Sequence, residues 1–125
     1  MAKKKLARTF GCPSEFTLDV LGGKWKTVIL CYLKQEPLHY ADLRRLIPSL
    51  SDKVLTERLG DLRERGLVEK RRVAGRLRGV YVLTPTGKSL GAALGELYSW
   101  GEKHAAAFGV TVANPLARLQ KSAVR

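Results

Sequence analysis

The sequence has few cysteines, few aromatic residues and no long apolar run. Only Cys12 and Cys31 are present, and two cysteines are too few for a disulfide framework in a chain of 125 residues. No stretch approaches the roughly 20 apolar residues that a membrane span needs. The basic start also lacks the apolar segment of a signal peptide. We therefore expect one domain in a reducing cytoplasm, with no membrane as a partner.

Acidic residues are scarce as well. The chain has 11 aspartates and glutamates against 23 lysines and arginines, a formal net charge of +12. Such an excess favours a polyanionic partner, because binding neutralises phosphates and releases counterions. Since 45% of the residues are hydrophobic, the chain can still bury a core. The composition thus indicates a folded basic protein whose candidate partner is nucleic acid.

The stretch from Ser51 to Gly66 carries the clearest local pattern. Ser51 is suited to cap a helix, because its hydroxyl can accept a hydrogen bond from the first turn. Gly66 can adopt a positive φ and end that helix. Apolar residues at three- and four-residue spacing predict one buried stripe, made of Val54, Leu55, Leu59 and Leu62. The opposite face is polar and basic, which fits the DNA major groove.

Three helices are expected before this recognition helix. The first begins near Pro13 and ends at the glycine pair 22–23, and the others cover residues 24–34 and 40–47. The third helix and the recognition helix, joined by a short turn, form a helix-turn-helix. Arg44 and Arg45 lie on the outer side of the third helix, where they are candidates for contacts with the DNA backbone.

A β-hairpin is expected directly after the recognition helix. Residues 67–73 and 80–83 are rich in apolar and β-branched side chains, and glycines between them permit a turn. A hairpin in this place is a wing, and its arginines are candidates for the DNA backbone: Arg71, Arg76 and Arg78. The alternative is that these arginines are simply solvated.

The segment after the wing predicts a long helix over residues 85–107, with Thr84 as its cap. Its apolar arc is wider than one small domain can cover, so we expect it to pack against a second copy of the chain. The candidate interface residues are Leu90, Leu94, Leu97 and Trp100. This assigns residues 1–11 to a basic arm, 12–108 to the domain and 109–125 to a tail.

Motifs along most of the chain resemble a known family. They are CP at 12–13, LDVLGGKWK at 18–26, ADLRRLIP at 41–48, LSDKVLTERL at 50–59, GLV at 66–68 and YVLTPTGKSL at 81–90. In this order they resemble the HxlR-type winged helix-turn-helix regulators, relatives of the MarR group. The resemblance implies a mainly α-helical fold with a hairpin wing, and a homodimer on a pseudo-palindromic operator. His39 and Tyr40 depart from the Arg-Phe pair common in the family, and Gly60 replaces a larger residue.

The expected function is transcriptional regulation, as a repressor rather than an activator, with double-stranded DNA as the partner. Four residues of the recognition helix are candidates for DNA contact, namely Ser51, Lys53, Thr56 and Arg58. The acidic and histidine residues form neither a catalytic pair nor a metal-ligand pattern, so we expect no enzyme, no metal and no cofactor. A winged helix that binds RNA or protein without reading a DNA sequence stays open.

Cys12 is the one candidate for reactive chemistry. It precedes Pro13 and therefore lies at a helix N-terminus near basic residues, and both features favour the nucleophilic thiolate. In some proteins that resemble this chain, the cysteine of the CP motif senses oxidants or electrophiles, so an oxidant or small-molecule effector is expected. The alternative is a small residue packed beneath the dimer helices. Cys31, within an apolar helix, is expected to be inert.

Overall fold

The computed structural model describes residues 9–72 and 79–113 of the chain. Its elements follow in the order α1 (Pro13–Leu21), α2 (Lys26–Gln35), α3 (Tyr40–Leu46), α4 (Asp52–Glu64), β1 (Val68–Arg71), β2 (Val80–Leu83), α5 (Pro85–Lys88) and α6 (Gly91–His104), with a 3₁₀ turn at Ala106–Phe108. The two strands pair antiparallel, with Val68 opposite Leu83. A mainly helical chain with one hairpin confirms the predicted fold class.

The core lies between α2, α3, α4 and the hairpin. Each of these helices buries the apolar face that its sequence period predicts, and the fully buried side chains include Ile29, Leu30, Leu43, Leu55 and Leu62. Burying one such side chain stabilises a fold by about 1.5–3 kcal/mol. These contacts fix α4 against α2 and against the start of β1.

Leu38 joins the hairpin to the start of α3. Its backbone exchanges two hydrogen bonds with Tyr81 in β2, at 2.7 and 3.2 Å. The next residue, His39, donates its backbone N–H to the Asp42 carboxylate at 2.9 Å, and its Nδ1 lies 3.0 Å from the Gly79 carbonyl oxygen. A carbonyl oxygen can only accept, so Nδ1 carries the proton. The base of the wing is thereby tied to the helix-turn-helix.

Helix α2 begins at Lys26, two residues later than the start predicted for residues 24–34. The cause is a left-handed turn of the backbone, in which Gly23 has φ +94° and Trp25 has φ +83°. The Trp25 ring packs against the core and holds this otherwise unfavourable conformation. A tertiary contact therefore sets the start of α2.

The single helix predicted over residues 85–107 is wrong, because α5 and α6 are separate helices that meet at Ser89 and Leu90. The Leu90 N–H donates to the Gly87 carbonyl at 3.1 Å, three residues back, as in a tighter 3₁₀ turn. Gly87 itself lies against the backbone of Leu67, where an added Cβ would be 2.1 Å from the carbonyl oxygen. This contact fixes α5, and the chain turns before α6 packs on α2.

Leu94 faces the core of its own subunit and is 1% exposed. It cannot offer surface to a second copy, so its assignment to the dimer interface is corrected. Leu90 is partly buried against the same core. Of the four predicted interface residues, Leu97 and Trp100 alone are exposed.

Candidate nucleic-acid interface

Helix α4 is closed at both ends by contacts within the subunit. The Ser51 hydroxyl accepts a hydrogen bond from the Val54 N–H at 3.1 Å, which confirms the predicted cap. At the other end Gly66 has φ +79°, and the Leu67 N–H donates to the Leu62 carbonyl at 3.0 Å. Both ends of α4 are therefore stabilised by hydrogen bonds to groups of the same chain.

One face of α4 is buried and the other is open to solvent. Leu55, Leu59 and Leu62 lie in the core. The opposite face is formed by exposed residues, namely Lys53, Thr56, Glu57, Gly60 and Arg63. Lys53 and Thr56 lie in the first two turns, the part of a recognition helix that reaches base edges.

A cluster of hydrogen bonds joins α3 to the first turn of α4. The Tyr40 hydroxyl lies 2.8 Å from the Asp52 carboxylate and 3.3 Å from the Thr56 hydroxyl. Arg44 Nε lies 2.9 Å from the same Asp52 carboxylate, and its guanidinium also donates to the Leu50 carbonyl. Arg44 thus fastens the turn of the helix-turn-helix. Sequence reasoning missed this cluster, because its contacts join residues 6 to 16 apart on different elements, and no helical period relates such residues.

Two other arginines that the sequence assigned to DNA have partners within the subunit. Arg58 lies on the side of α4 towards α2 and donates from Nε to the Lys24 carbonyl at 2.8 Å. Arg45 pairs with Asp42 one turn earlier on α3, with 3.2 Å between Nη2 and Oδ1. Arg45 is exposed, whereas Arg58 is partly buried.

A network of charges holds the C-terminal half of α4. Lys26 is buried and its amine contacts the Asp61 carboxylate and the Val20 carbonyl. Arg65 lies 3.4 Å from Asp61, four residues earlier in the chain, and 3.7 Å from Asp19. Burial would raise the pKa of Asp61, but Lys26 and Arg65 outweigh it and lower the pKa below its ordinary 3.8.

The sequence did contain a signal for this network. Lys26 precedes Ile29, Leu30 and Leu33 by three, four and seven residues, and so falls on the buried stripe of α2. A lysine in such a position needs a carboxylate partner, because burying an unpaired charge is costly.

The wing has one described arginine among the predicted contacts. Arg71 donates from Nε and Nη2 to the Glu69 carboxylate, at 3.0 and 2.6 Å, and remains exposed. Arg76 and Arg78 lie outside the described residues, as do residues 1–8 of the basic arm and residues 114–125 of the tail. Their predicted roles stay predictions.

A second kind of surface is apolar and exposed. On α1 and from α6 to the end of the described chain, large apolar side chains are between 48% and 69% exposed, namely Phe16, Leu18, Leu97, Trp100, Phe108, Val110 and Val112. Trp100 stacks on His104, with 4.3 Å between ring centroids. The ring centroids of Trp100 and Phe108 lie 6.0 Å apart, and exposed apolar side chains that adjoin one another are typical of surfaces that bind a partner.

The two cysteines occupy opposite environments. Cys12 is exposed at the N-cap of α1, with its sulfur 3.0 Å from the Ser14 hydroxyl. Hydrogen bonds from the side chain and backbone of Ser14, and from the backbone of Glu15, lower the pKa of Cys12. Cys31 is half-buried, and burial raises its pKa. The predicted contrast in reactivity therefore has a physical basis.

Other site types are not found in the described parts of the chain. Among residues 9–72 and 79–113, no three histidine, cysteine or acidic side chains cluster as metal ligands would. In the same ranges no helix is both long and apolar enough to cross a membrane.

The three-helix core, the capped recognition helix and the hairpin behind it define the chain as a winged helix-turn-helix protein. A family model described as HxlR-like helix-turn-helix matches residues 20–108. The chain belongs to this family, which confirms the resemblance drawn from its motifs. It is a transcriptional regulator of the helix-turn-helix type and not an enzyme.

Several known proteins are similar to this chain in sequence and in fold. The chain is 36% identical over 107 residues to YtcD of Bacillus subtilis (strain 168), an uncharacterised HTH-type transcriptional regulator, with 83% of this chain and 80% of YtcD covered. The redox regulator HypR in its reduced form superposes with a TM-score of 0.72 at 31% identity, covering 78% of this chain and 98% of HypR. A protein described as MarR family, from Porphyromonas gingivalis W83, gives a TM-score of 0.67 at 27% identity, with 78% and 97% covered.

Proposed function

We propose that this protein is a homodimeric repressor that binds a pseudo-palindromic operator through α4. The observation that carries the proposal is the open polar face of α4, which three buried leucines and two caps hold in place. A rigid helix with a polar free face fits the major groove, where donors and acceptors distinguish all base pairs.

The residues divide into those that contact DNA and those that hold α4. Lys53 and Thr56 contact base edges, and Ser51 binds a phosphate in addition to its capping role. Arg45, Arg71 and the wing arginines Arg76 and Arg78 contact the backbone. We assign Arg44 and Arg58 to positioning α4, because both are partly buried and donate to backbone carbonyls, whereas Arg45 and Arg71 are exposed.

The exposed apolar surface supports a second copy as the partner. Leu97 and Trp100 on α6, together with Phe16 and Leu18 on α1, form the proposed dimer interface. Burying these side chains favours association by about 25 cal/mol for each Å² of apolar surface. In the dimer the two α4 helices meet half-sites that lie about 10 bp apart, or a multiple of that distance.

We further propose that Cys12 reports oxidants or electrophiles to the DNA-binding surface. Its exposure and lowered pKa favour the thiolate, the form that attacks an oxidant. The likeness to the redox regulator HypR supports the same assignment. In a reducing cytoplasm, where we propose that the protein works, Cys12 stays reduced until such a reagent appears.

Selection from a random DNA duplex library, with the protein reduced and then treated with peroxide, tests both parts. We expect the reduced protein to enrich a palindromic consensus, and oxidation to lower its affinity for that consensus. Cys12→Ser should bind the same consensus and lose the response, whereas Cys31→Ser should keep it. A library that yields no enriched sequence would refute operator reading and would favour an RNA or protein partner.

A further inference from the structure

The Tyr40 ring reaches from the first residue of α3 to the first turn of α4. Its hydroxyl has three oxygen neighbours, the Asp52 carboxylate at 2.8 Å, the Asp52 carbonyl at 3.3 Å and the Thr56 hydroxyl at 3.3 Å. Thr56 is exposed on the face of α4 that is open to solvent. Tyr40 thus contacts a side chain that we assign to base recognition.

The donors and acceptors in this cluster can be assigned by counting protons. A tyrosine hydroxyl has one proton, and both Asp52 oxygens can only accept. The carboxylate is the nearer of the two and carries charge, so it takes the Tyr40 proton. The contact with Thr56 must then be an O–H that Thr56 donates to the Tyr40 oxygen.

Tyr40 keeps its proton at neutral pH. The hydrogen bond from Thr56 lowers the pKa of Tyr40, but burial and the Asp52 carboxylate outweigh it, and the pKa lies above its ordinary value. Arg44 Nε, 2.9 Å from the Asp52 carboxylate, holds the acceptor of this proton in place. The direction of the hydrogen bonds is therefore stable over the physiological pH range.

This direction limits what Thr56 offers to DNA. A free threonine hydroxyl both donates and accepts, and so tolerates any base edge. With its proton committed to Tyr40, Thr56 presents lone pairs alone. In the major groove only the amino groups of adenine and cytosine donate hydrogen bonds.

We propose that Tyr40 is a positioning residue for sequence recognition, which turns Thr56 into an acceptor and selects adenine or cytosine over guanine or thymine at one position of each half-site. The proposal rests on the proposed function, in that α4 must read bases. It adds a residue of α3, outside the recognition helix, to the determinants of the operator.

The test begins with the operator recovered from the duplex library. Each position of one half-site is changed in turn to the other three bases. The dissociation constant of the full-length protein for each duplex is measured by fluorescence anisotropy. The variant Thr56→Val lacks the hydroxyl. The base pair that Thr56 contacts is the operator position at which the base preference of this variant differs from that of the wild-type protein. At that position wild type should favour adenine or cytosine by about fivefold, the value of one hydrogen bond.

Tyr40→Phe is the decisive variant. Without the Tyr40 oxygen the Thr56 hydroxyl is free to donate, so the preference should fall to within about twofold, while affinity for non-specific DNA stays unchanged. Thr56→Ser retains the hydroxyl and should keep the wild-type preference. Tyr81→Phe is a matched control, because it removes a tyrosine hydroxyl from the hairpin, where the ring lies beneath Lys70. The melting temperature of Tyr40→Phe should stay near wild type, since the Ser51 cap and the Arg44–Asp52 pair remain.

The possible outcomes distinguish a failure of the role proposed for Tyr40 from a failure of the proposed DNA-binding function. A consensus in which Thr56→Val changes no position, or in which Tyr40→Phe keeps the full preference, overturns the role of Tyr40 and leaves operator reading intact. A preference for thymine alone at the contacted position also overturns it, because the Thr56 methyl group would then be the part that is read. Absence of any consensus overturns the proposed function itself.

Discussion

Helices α4 and α6 are nearly equal in length, with 13 and 14 residues, yet large apolar side chains are exposed on α6 and not on α4. The exposed side of α4 is polar, and a serine and a glycine close its two ends. The exposed side of α6 carries Leu97 and Trp100, and no side chain caps its start. The ends and the apolar face of α4 are therefore satisfied by contacts within one chain, whereas α6 leaves large apolar side chains exposed to solvent. This contrast supports the proposal that α4 binds DNA and that α6 packs against a second copy.

The largest expected effect comes from placing a charge on the free face of α6. Trp100→Glu should dissociate the dimer, because an unpaired carboxylate is costly to bury at an apolar interface. Operator affinity should then fall by roughly 100-fold or more, since the two half-sites no longer bind together. Analytical ultracentrifugation and operator titration measure the two effects.

Gln35→Glu serves as the control for this charge. It adds one negative charge at an exposed residue at the end of α2, and it should change neither the oligomeric state nor the affinity by more than about twofold. If the Trp100→Glu variant remains dimeric, α6 does not form the dimer interface, and the proposed difference in role between α4 and α6 is wrong.

Removing a charge from the free face of α4 should act on specificity instead. Lys53→Ala should lower operator affinity by about tenfold and non-specific affinity far less, because a base-edge contact is worth about 1–3 kcal/mol of discrimination. The ratio of the two dissociation constants is the measurement. Lys88→Ala, an exposed lysine of α5, is the matched control. An equal loss on all sequences would make Lys53 a phosphate contact.

The wing should contribute to affinity without sequence preference. Replacing Arg76 and Arg78 by alanine should weaken binding to every duplex and reduce the salt slope by about 2, one unit for each lost phosphate contact. Arg71→Ala should do less, because Glu69 already neutralises part of its charge. Titrations at several salt concentrations test this, and an unaltered slope would mean that the wing arginines are solvated.

The smallest effect should appear in the stability of α4 at low pH. The folded state lowers the pKa of Asp61, so its stabilising contribution is complete above the unfolded value near 3.8 and disappears as the pH falls through the lower folded value. Lys26→Met removes the main partner and should weaken this dependence, while operator preference stays the same. Thermal unfolding of both proteins between pH 7 and 3 measures it. The same acid sensitivity in both would show that Asp61 draws its stability from Arg65.

The fold was predictable from the sequence to a large degree, because its main elements are local. Leucines at helical spacing, a serine cap and a terminal glycine are sufficient to predict α4, and all three features lie within 16 residues. The hairpin likewise follows from two short apolar runs around glycines. Each of these signals depends on neighbours along the chain and hardly on tertiary contacts.

What the sequence could not predict depends on contacts between distant residues. The break between α5 and α6 follows directly after the close approach of Gly87 to Leu67, 20 residues earlier, and no helical period records such a contact. For the same reason Leu94 was assigned to the wrong surface. The Tyr40 cluster and the Arg58 bond to Lys24 connect separate helices and were visible only in three dimensions.

The close approach at Gly87 has a consequence for how this protein could evolve. It sets the angle at which α6 leaves the half of the molecule that carries α4. In the proposed homodimer, a rotation of α6 relative to α4 occurs in both copies and therefore changes the separation of the two α4 helices twice over. A methyl group here has no room beside the Leu67 oxygen, so a lineage that keeps its operator spacing must also keep this glycine.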